Sequence, residues 1–253
     1  MVKVSIIGKG KFGSKIEDTI KDSVEFVKPN DADWIIISTP NDLHFEQVSY
    51  WLDRGKNVFC EKPLCLDYKS AESLYDKAFD NNIKLYVDDI FIWRNEFYNV
   101  SDFKWSKENN LNYLERLAYH HFYLWVRNKK IVVDEVIKTS EYSFIIKLKN
   151  DMSATFDYNS SEFTMHRIGD KDVLPRPDNP LKKMLLVVFS GNTYKHFNRD
   201  VTLNATYLLE KVREVMYPKA LVIGGGIFGS TAAVSLSNNG YQVELHEKQK
   251  DIM

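Results

Sequence analysis

The sequence predicts three consecutive parts: an α/β domain on a parallel sheet over residues 1–92, an α+β domain with an open, largely antiparallel sheet over 93–217, and a partial βαβ unit over 218–253. Three observations carry this. Short apolar runs alternate with helix-like segments as far as Val87. Beyond Trp93 a helical stretch is followed by three strand-like ones. From Ala220 a strand, a glycine turn and a helix begin afresh.

In the first part, Val2–Ile7 is a short apolar strand that ends on Gly8-Lys-Gly10-Lys11-Phe12-Gly13, and the helical composition of Ser14–Ile20 follows. A weak second strand, Val24–Val27, stops at Lys28-Pro29. Trp34-Ile-Ile-Ile-Ser38 is a continuous apolar, β-branched run, as a parallel strand covered on both faces requires. It ends at Thr39-Pro40-Asn41. Leu43, Val48, Trp51 and Leu52 suit a helix stopping at Gly55. Asn57–Cys60 is the next strand, with Glu61-Lys62-Pro63 as its exit loop. A helix over Ser70–Phe79 and a strand over Ile83–Val87 repeat the unit.

The second part opens with Leu111, Leu114, Ala118, Phe122 and Trp125 at helical spacing, which predicts one helix over Asn110–Arg127. Strands are expected over Ile131–Ile137, Tyr142–Leu148 and Met152–Tyr158, the last two joined by a tight hairpin at Lys149-Asn-Asp151. A Pro-rich segment, Leu174–Pro180, leads into two helical stretches, the second over Val201–Met216, and Tyr217-Pro218 closes the part. The third part reads as strand Ala220–Ile223, turn Gly224-Gly-Gly226-Ile-Phe-Gly229, a helix to Asn239 stopped by Gly240, and strand Tyr241–Glu247.

Composition narrows the function. With 44% hydrophobic and 27% charged residues the chain has the make-up of a soluble globular protein. A net charge of −1 lacks the basic excess of a nucleic-acid binder. No apolar run approaches the roughly 18 residues of a membrane span, and the amino terminus has no secretory apolar core, so a cytoplasmic location is expected. Two cysteines, Cys60 and Cys65, make neither a disulfide framework nor a four-ligand zinc site. They read as buried free thiols, and no metal is expected.

The first glycine motif follows a strand and opens a helix, so its glycines can turn tightly, admit a pyrophosphate to the backbone and present helix N-terminal amides to it. This is a Rossmann-type reading with NAD or NADP as cofactor. The customary ribose-binding acid is missing. Lys28 stands near its place, either meeting a 2′-phosphate or lying as a solvated charge, so the two cofactors stay unresolved. The Rossmann half is also shortened: six residues separate Val27 from Trp34, where a crossover needs at least about ten. A helix and a strand are expected to be missing, which would remove one wall of the adenosine pocket.

Gly8-x-Gly10-x-x-Gly13, Asp33-Trp-Ile-Ile-Ile-Ser-Thr39-Pro40-Asn41-x-x-His44 and Gly55-Lys-Asn-Val-Phe-Cys-Glu61-Lys62-Pro63 together resemble the Gfo/Idh/MocA oxidoreductase family over roughly residues 1–217. The resemblance implies nicotinamide-dependent oxidation or reduction of a hydroxyl or keto group of a sugar or nucleotide sugar, and homo-oligomers formed through the second-domain sheet. It places Gly8, Gly10, Lys11, Phe12, Gly13, Thr39, Pro40, Asn41, His44, Glu61 and Lys62 at the cofactor and sets Lys62 on the reacting hydroxyl. Lys62 taken alone would read as an exposed loop lysine, and His44 as a packing residue at a helix start. The Lys62-Pro63 bond is expected to be cis. In the second domain the resemblance implies a catalytic histidine preceded four residues earlier by an aspartate. Leu117–Leu124 matches that helix, with His120 as the histidine, but Arg116 occupies the aspartate position. His120 is either catalytic or a helix-packing residue, while His121 faces about 100° away.

Glu247 follows the second fingerprint, Gly224-x-Gly226-x-x-Gly229, at close to the interval of roughly 20 residues expected of a ribose-binding acid. Residues 219–253 resemble the amino-terminal unit of FAD-dependent oxidoreductases of the amino-acid-oxidase type. The expectation is a truncated fusion of two enzymes, with FAD held only in a longer parent protein, or else a mere sheet extension. The rival to an enzyme is a catalytically impaired dinucleotide sensor or scaffold.

Overall fold

The structure, a computed structural model, describes residues 1–94, 97, 99–106, 112–127, 131–159, 165–175, 177–190, 198–217, 219–238 and 241–247. The amino-terminal strands and helices are β1 (Lys3–Ile7), α1 (Lys11–Ile20), β2 (Glu25–Phe26), β3 (Trp34–Ile37), α2 (His44–Leu52), β4 (Asn57–Cys60), α3 (Tyr68–Asp80) and β5 (Leu85–Val87). The five strands form an all-parallel sheet in the order β2-β1-β3-β4-β5. Between β2 and β3 there is only a single 3-10 turn, Pro29–Asp31, so the expected shortening is present.

Side-chain alternation explains why both faces of this sheet are apolar. Ile35, Ile37, Val58, Cys60, Leu85 and Val87 pack under Val48, Leu52, Leu74 and Ala78 of α2 and α3. Trp34, Ile36, Phe59 and Tyr86 pack on the other face with Ile16 and Ile20 of α1. Cys60 and Cys65 are buried free thiols in the α2/α3 layer.

The second sheet contains β6 (Asp102–Ser106), β7 (Val133–Lys138), β8 (Ser143–Leu148), β9 (Ser153–Asp157), β10 (Met165–Ile168) and β11 (Lys171–Asp172). Their order is β11-β10-β6-β9-β8-β7, with every pair antiparallel except β6 and β9. The expected strands thus appear as β7, β8 and β9, while β6, β10 and β11 are additional. The helix expected over Asn110–Arg127 begins later among the described residues. A π-helical turn at Leu114–Ala118 runs into α4 (Tyr119–Val126), and Asn110 and Leu111 lie outside the described residues. α4 packs beside α6 (Arg199–Met216), where Tyr119 and Tyr123 hydroxyls meet Thr206 and Thr202 at 2.7 and 3.0 Å.

One helix departs from the expected division of the chain. α5 (Pro180–Phe189), expected within the second domain, places Leu181, Met184, Leu185, Val188 and Phe189 on the α1 side of the first sheet. These positions recur at i, i+3, i+4, i+7 and i+8, one apolar stripe. The Phe189 ring lies 5.4 Å from Trp34 and 6.3 Å from Phe59. α5 therefore lies beside α1 and covers β3, β4 and β5 on that face.

The third part is β12 (Lys219–Ile223), α7 (Ile227–Asn238) and β13 (Gln242–His246), with the two strands parallel. This is the expected strand-helix-strand unit. Pro218 and Gly240, expected as hinge and helix stop, lie outside the described residues. Its apolar side chains are largely in solvent, Ile223 at 79% and Phe228 at 91% exposure.

Candidate functional site

Register pairs Ile7 with Ile37, Ile37 with Cys60, and Cys60 with Val87. The next residues, Gly8, Ser38, Glu61 and Asp88, therefore lie side by side along the carboxyl edge of the sheet. The strand order reverses between β1 and β3, the position at which open parallel sheets take ligands.

Gly8 has φ +94°, and a Cβ there would strike the Ser38 carbonyl; one on Gly13 would strike the Gly8 carbonyl. Gly10 faces open space and caps α1 without a side-chain hydrogen bond, and no acidic residue occupies the first turn. The amides at this helix start are therefore open to an anion, and the residues present fit a dinucleotide pyrophosphate. Lys11 is exposed, whereas Phe12 packs against the core of the α1 face.

Thr39 donates its hydroxyl to Gln47 Oε1 at 2.7 Å, Pro40 is exposed, and Asn41 opens the 3-10 turn Asn41–Leu43. His44, expected at the cofactor or as a packing residue at a helix start, lies between two exit loops. Its side chain has no exposed surface, with Nδ1 2.8 Å from the Pro63 carbonyl and Nε2 2.9 Å from the Thr39 carbonyl. His44 clasps the β3 and β4 exit loops from behind, and burial lowers its pKa while the two carbonyls raise it.

Lys62 is 9% exposed, follows a strand end and precedes a cis bond to Pro63, as expected. Its Nζ donates to the carbonyls of Glu115 at 2.9 Å and Arg116 at 3.1 Å, in the π-helical turn. Burial pulls its pKa down, against the opposing charges of Glu61, Asp88 and Glu115. Glu61 accepts the Lys62 main-chain N–H, and burial beside Asp88 raises its pKa. Asp88 is likewise raised by burial. Asp89 is pushed up to about 7 by burial; its carboxylate accepts from Tyr86, Trp93 and Asn198.

Lys62 thus meets the turn immediately before His120. The His120 ring lies 4.8 Å from Phe91 and 6.1 Å from Trp105, centroid to centroid. His121 is fully buried, its Nδ1 2.8 Å from the Tyr158 hydroxyl and its Nε2 2.9 Å from His166 Nε2; burial drives its pKa well down. His166 in turn stacks on Trp105 at 3.8 Å. Arg116 is exposed, and the neighbouring Glu115 carboxylate, 4% exposed, is held by Arg213 and Tyr217.

Sequence reasoning missed Asp88, Asp89 and His166. The two aspartates carried a signal, since a charged pair directly after an apolar parallel strand sits at its ligand-bearing end. His166 lies on a strand that was not anticipated. Among the described residues no group of His, Cys, Asp and Glu is arranged to hold a metal ion, and no helix is long and apolar enough to cross a membrane.

The second fingerprint repeats the geometry of the first. Gly224 has φ +98°, a Cβ on Gly229 would strike the Gly224 carbonyl, and Gly226 faces open space. Glu247 accepts the N–H of Gly225, which brings the expected ribose-binding acid onto the glycine turn.

Residues 12–89 match the Gfo/Idh/MocA family model, described as an oxidoreductase family with an NAD-binding Rossmann fold; residues 222–252 match a model described as an NAD(P)-binding Rossmann-like domain. An uncharacterized oxidoreductase of Streptococcus pneumoniae is 32% identical over 92 residues, 36% of this chain and 24% of that protein. The NADP-dependent scyllo-inositol 2-dehydrogenase of Bacillus subtilis is 32% identical over 78 residues, 30% of this chain and 24% of its own length. These matches span about a quarter of each relative. In three dimensions the chain is similar to the UDP-N-acetylglucosamine 3-dehydrogenase of Acidithiobacillus ferrooxidans, with a TM-score of 0.69 at 13% identity, covering 84% of this chain and 96% of that one. The fold is therefore a Rossmann-like α/β sheet followed by a second, mixed sheet, as in the dehydrogenases of that family.

Proposed function

We propose, from a Gfo/Idh/MocA-type nucleotide-binding segment at residues 12–89, that the chain is an NAD(P)-dependent oxidoreductase acting on a hydroxyl or keto group of a sugar or nucleotide sugar. The observation that carries the reading is the buried Lys62, set at the same carboxyl edge of the sheet as the glycine turn and bonded to the turn that leads into His120. In this reading residues 1–92 together with α5 bind the dinucleotide, and the second sheet with α4 and α6 faces the substrate. The nicotinamide supplies hydride acceptance or donation when bound. Gly8, Gly10, Lys11 and Gly13 hold the pyrophosphate, and Thr39, Pro40 and Asn41 line the cofactor. The Lys62 ammonium has three donors, two of them committed to main-chain carbonyls. The third is directed to the substrate oxygen, where it stabilises alkoxide character as hydride departs. His120 is the acid or base for the same oxygen.

A screen of polyols and nucleotide sugars with NAD and NADP, followed by nicotinamide absorbance and controlled by Lys62→Ala, tests this. Turnover lost in the variant supports it. Micromolar NAD(H) binding without turnover would favour a sensor or scaffold, the reading that Arg116 and the shortened sheet support. For residues 219–247 we infer the dinucleotide-binding start of an FAD-dependent partner enzyme. The repeated glycine geometry, the placement of Glu247 and the match to an NAD(P)-binding Rossmann-like model support a dinucleotide-binding start; its assignment to an FAD enzyme rests on the resemblance of residues 219–253. Titration of this chain with FAD should show no tight binding, because a lone strand-helix-strand unit cannot cover its own sheet; tightly bound FAD would refute the reading that the unit is only the start of that enzyme. A homo-oligomer through the second sheet is read by sedimentation.

A further inference from the structure

We propose that Asp88 is the positioning carboxylate of Lys62, taking over in this chain the charge-balancing duty of the helix-borne aspartate that Arg116 replaces. The inference rests on the dehydrogenase reading of the site and adds a residue to it.

Register brings the two groups together. Val87 pairs with Cys60, and the Asp88 N–H donates to the Cys60 carbonyl at 2.9 Å, so Asp88 and Glu61 occupy the next rung, directly beside Lys62. Asp88 is 1% exposed. Its Oδ1 accepts from the Ile90 N–H at 3.0 Å, while Oδ2 is buried with no hydrogen-bond partner among the described residues. A buried carboxylate oxygen left unsatisfied is costly unless a charge compensates it.

Of the neighbouring acids, Glu115 and Asp89 have both oxygens engaged and Glu61 has one. Glu115 is held by Arg213 and Tyr217, Asp89 by Tyr86, Trp93 and Asn198, and Glu61 accepts the Lys62 main-chain N–H. The two carbonyls that receive Lys62 Nζ orient it without neutralising it. Asp88 thus stands with Glu61 as a carboxylate beside Lys62, is the one whose second oxygen is buried and unsatisfied among the described residues, and its field joins that of Glu61 in favouring the ammonium form that burial opposes. The other charged groups facing the pair are Lys15 from α1, Arg116 and Glu115 from the π-helical turn, Asp89 from the β5 exit and Glu61 from β4; His44 stands behind the loop.

Lysine Nζ and carboxyl ¹³C NMR titrations of the full chain test the assignment without any substrate. Asp88→Asn should lower the Lys62 midpoint by about one to two pH units, and Asp88→Glu should restore part of the shift. Reciprocally, Lys62→Met should raise the Asp88 midpoint. A Lys62 midpoint unmoved by Asp88→Asn overturns the proposal. Should that variant fail to fold, an Asp88 midpoint unmoved by Lys62→Met overturns it equally. Because the readout is independent of turnover, an inactive protein with coupled midpoints would refute the dehydrogenase reading alone. An active one with independent midpoints would refute this inference alone.

Discussion

Replacing Phe189 by alanine asks whether α5 belongs to the first sheet. Phe189 is 3% exposed, with its ring 5.4 Å from Trp34 and 6.3 Å from Phe59, so the substitution opens a cavity over β3 and β4. Removing a buried phenylalanine costs about 3–5 kcal/mol. If opening of the first sheet is the process that exposes its amides, that cost speeds their exchange by roughly a hundredfold or more. Hydrogen exchange read by mass spectrometry should show the acceleration in Trp34–Ile37 and Asn57–Cys60, with β8 and β9 of the second sheet changed far less. Acceleration confined to Ser143–Leu148 and Ser153–Asp157 would refute the placement of the helix. A loss of stability below about 1 kcal/mol would refute the cavity reasoning.

Gly10→Ala should fold normally, since Gly10 has an ordinary extended backbone and open space before it, yet weaken NAD(H) binding at least about tenfold by filling the approach to α1; calorimetric titration reads this. Gly13→Ala should instead lower the melting temperature, because its Cβ meets the Gly8 carbonyl, at a cost of about 1–3 kcal/mol. Asp89 holds its proton up to about pH 7 in the folded state. Between the ordinary carboxylate range and about pH 7 the native state therefore binds the extra proton, and stability should fall as pH rises. Urea midpoints across this window should slope downward, and more weakly in Asp89→Asn; equal slopes would refute the assignment. A chain ending at Tyr217 should keep the melting behaviour and nicotinamide binding of the longer one, because β12, α7 and β13 pack on one another and expose their remaining apolar surface; differential scanning calorimetry decides.

Much of the first sheet was legible because its signals are local. The run Trp34–Ile37 has the unbroken apolar pattern of a parallel strand covered on both faces, and three glycines at fixed spacing after a strand specify the turn. The helical composition of α5 was equally visible, but it does not state which sheet the helix covers; that is decided by the apolar residues of β3, β4 and β5 on the α1 face. β6 and β10 were missed because Asp102–Ser106 and Met165–Ile168 are short and bracketed by polar residues, and they acquire strand character from partners far along the chain. Lys62 could be singled out from Glu61-Lys62-Pro63, but its grip on the Glu115 and Arg116 carbonyls depends on a π-helical turn that breaks the expected continuous helix. The packing of His44 was illegible for a related reason: its two carbonyl partners belong to different loops.

The late arrival of α5 bears on synthesis. The strands β1 to β5 leave the ribosome within the first ninety or so residues, yet Val4, Ile36, Phe59 and Tyr86 gain their lid only when residues 180–189 emerge. For the interval in which the intervening chain is made, the nascent sheet carries an uncovered apolar face flanked by α1 alone. Contacts of such long sequence separation form slowly, and exposed apolar surface during the delay invites association with other chains. The nucleotide-binding half is therefore contiguous at its edge and discontinuous in its core: its ligand-facing turns fall within residues 8–62, and its solvent-excluding cover more than a hundred residues later, at 180–189.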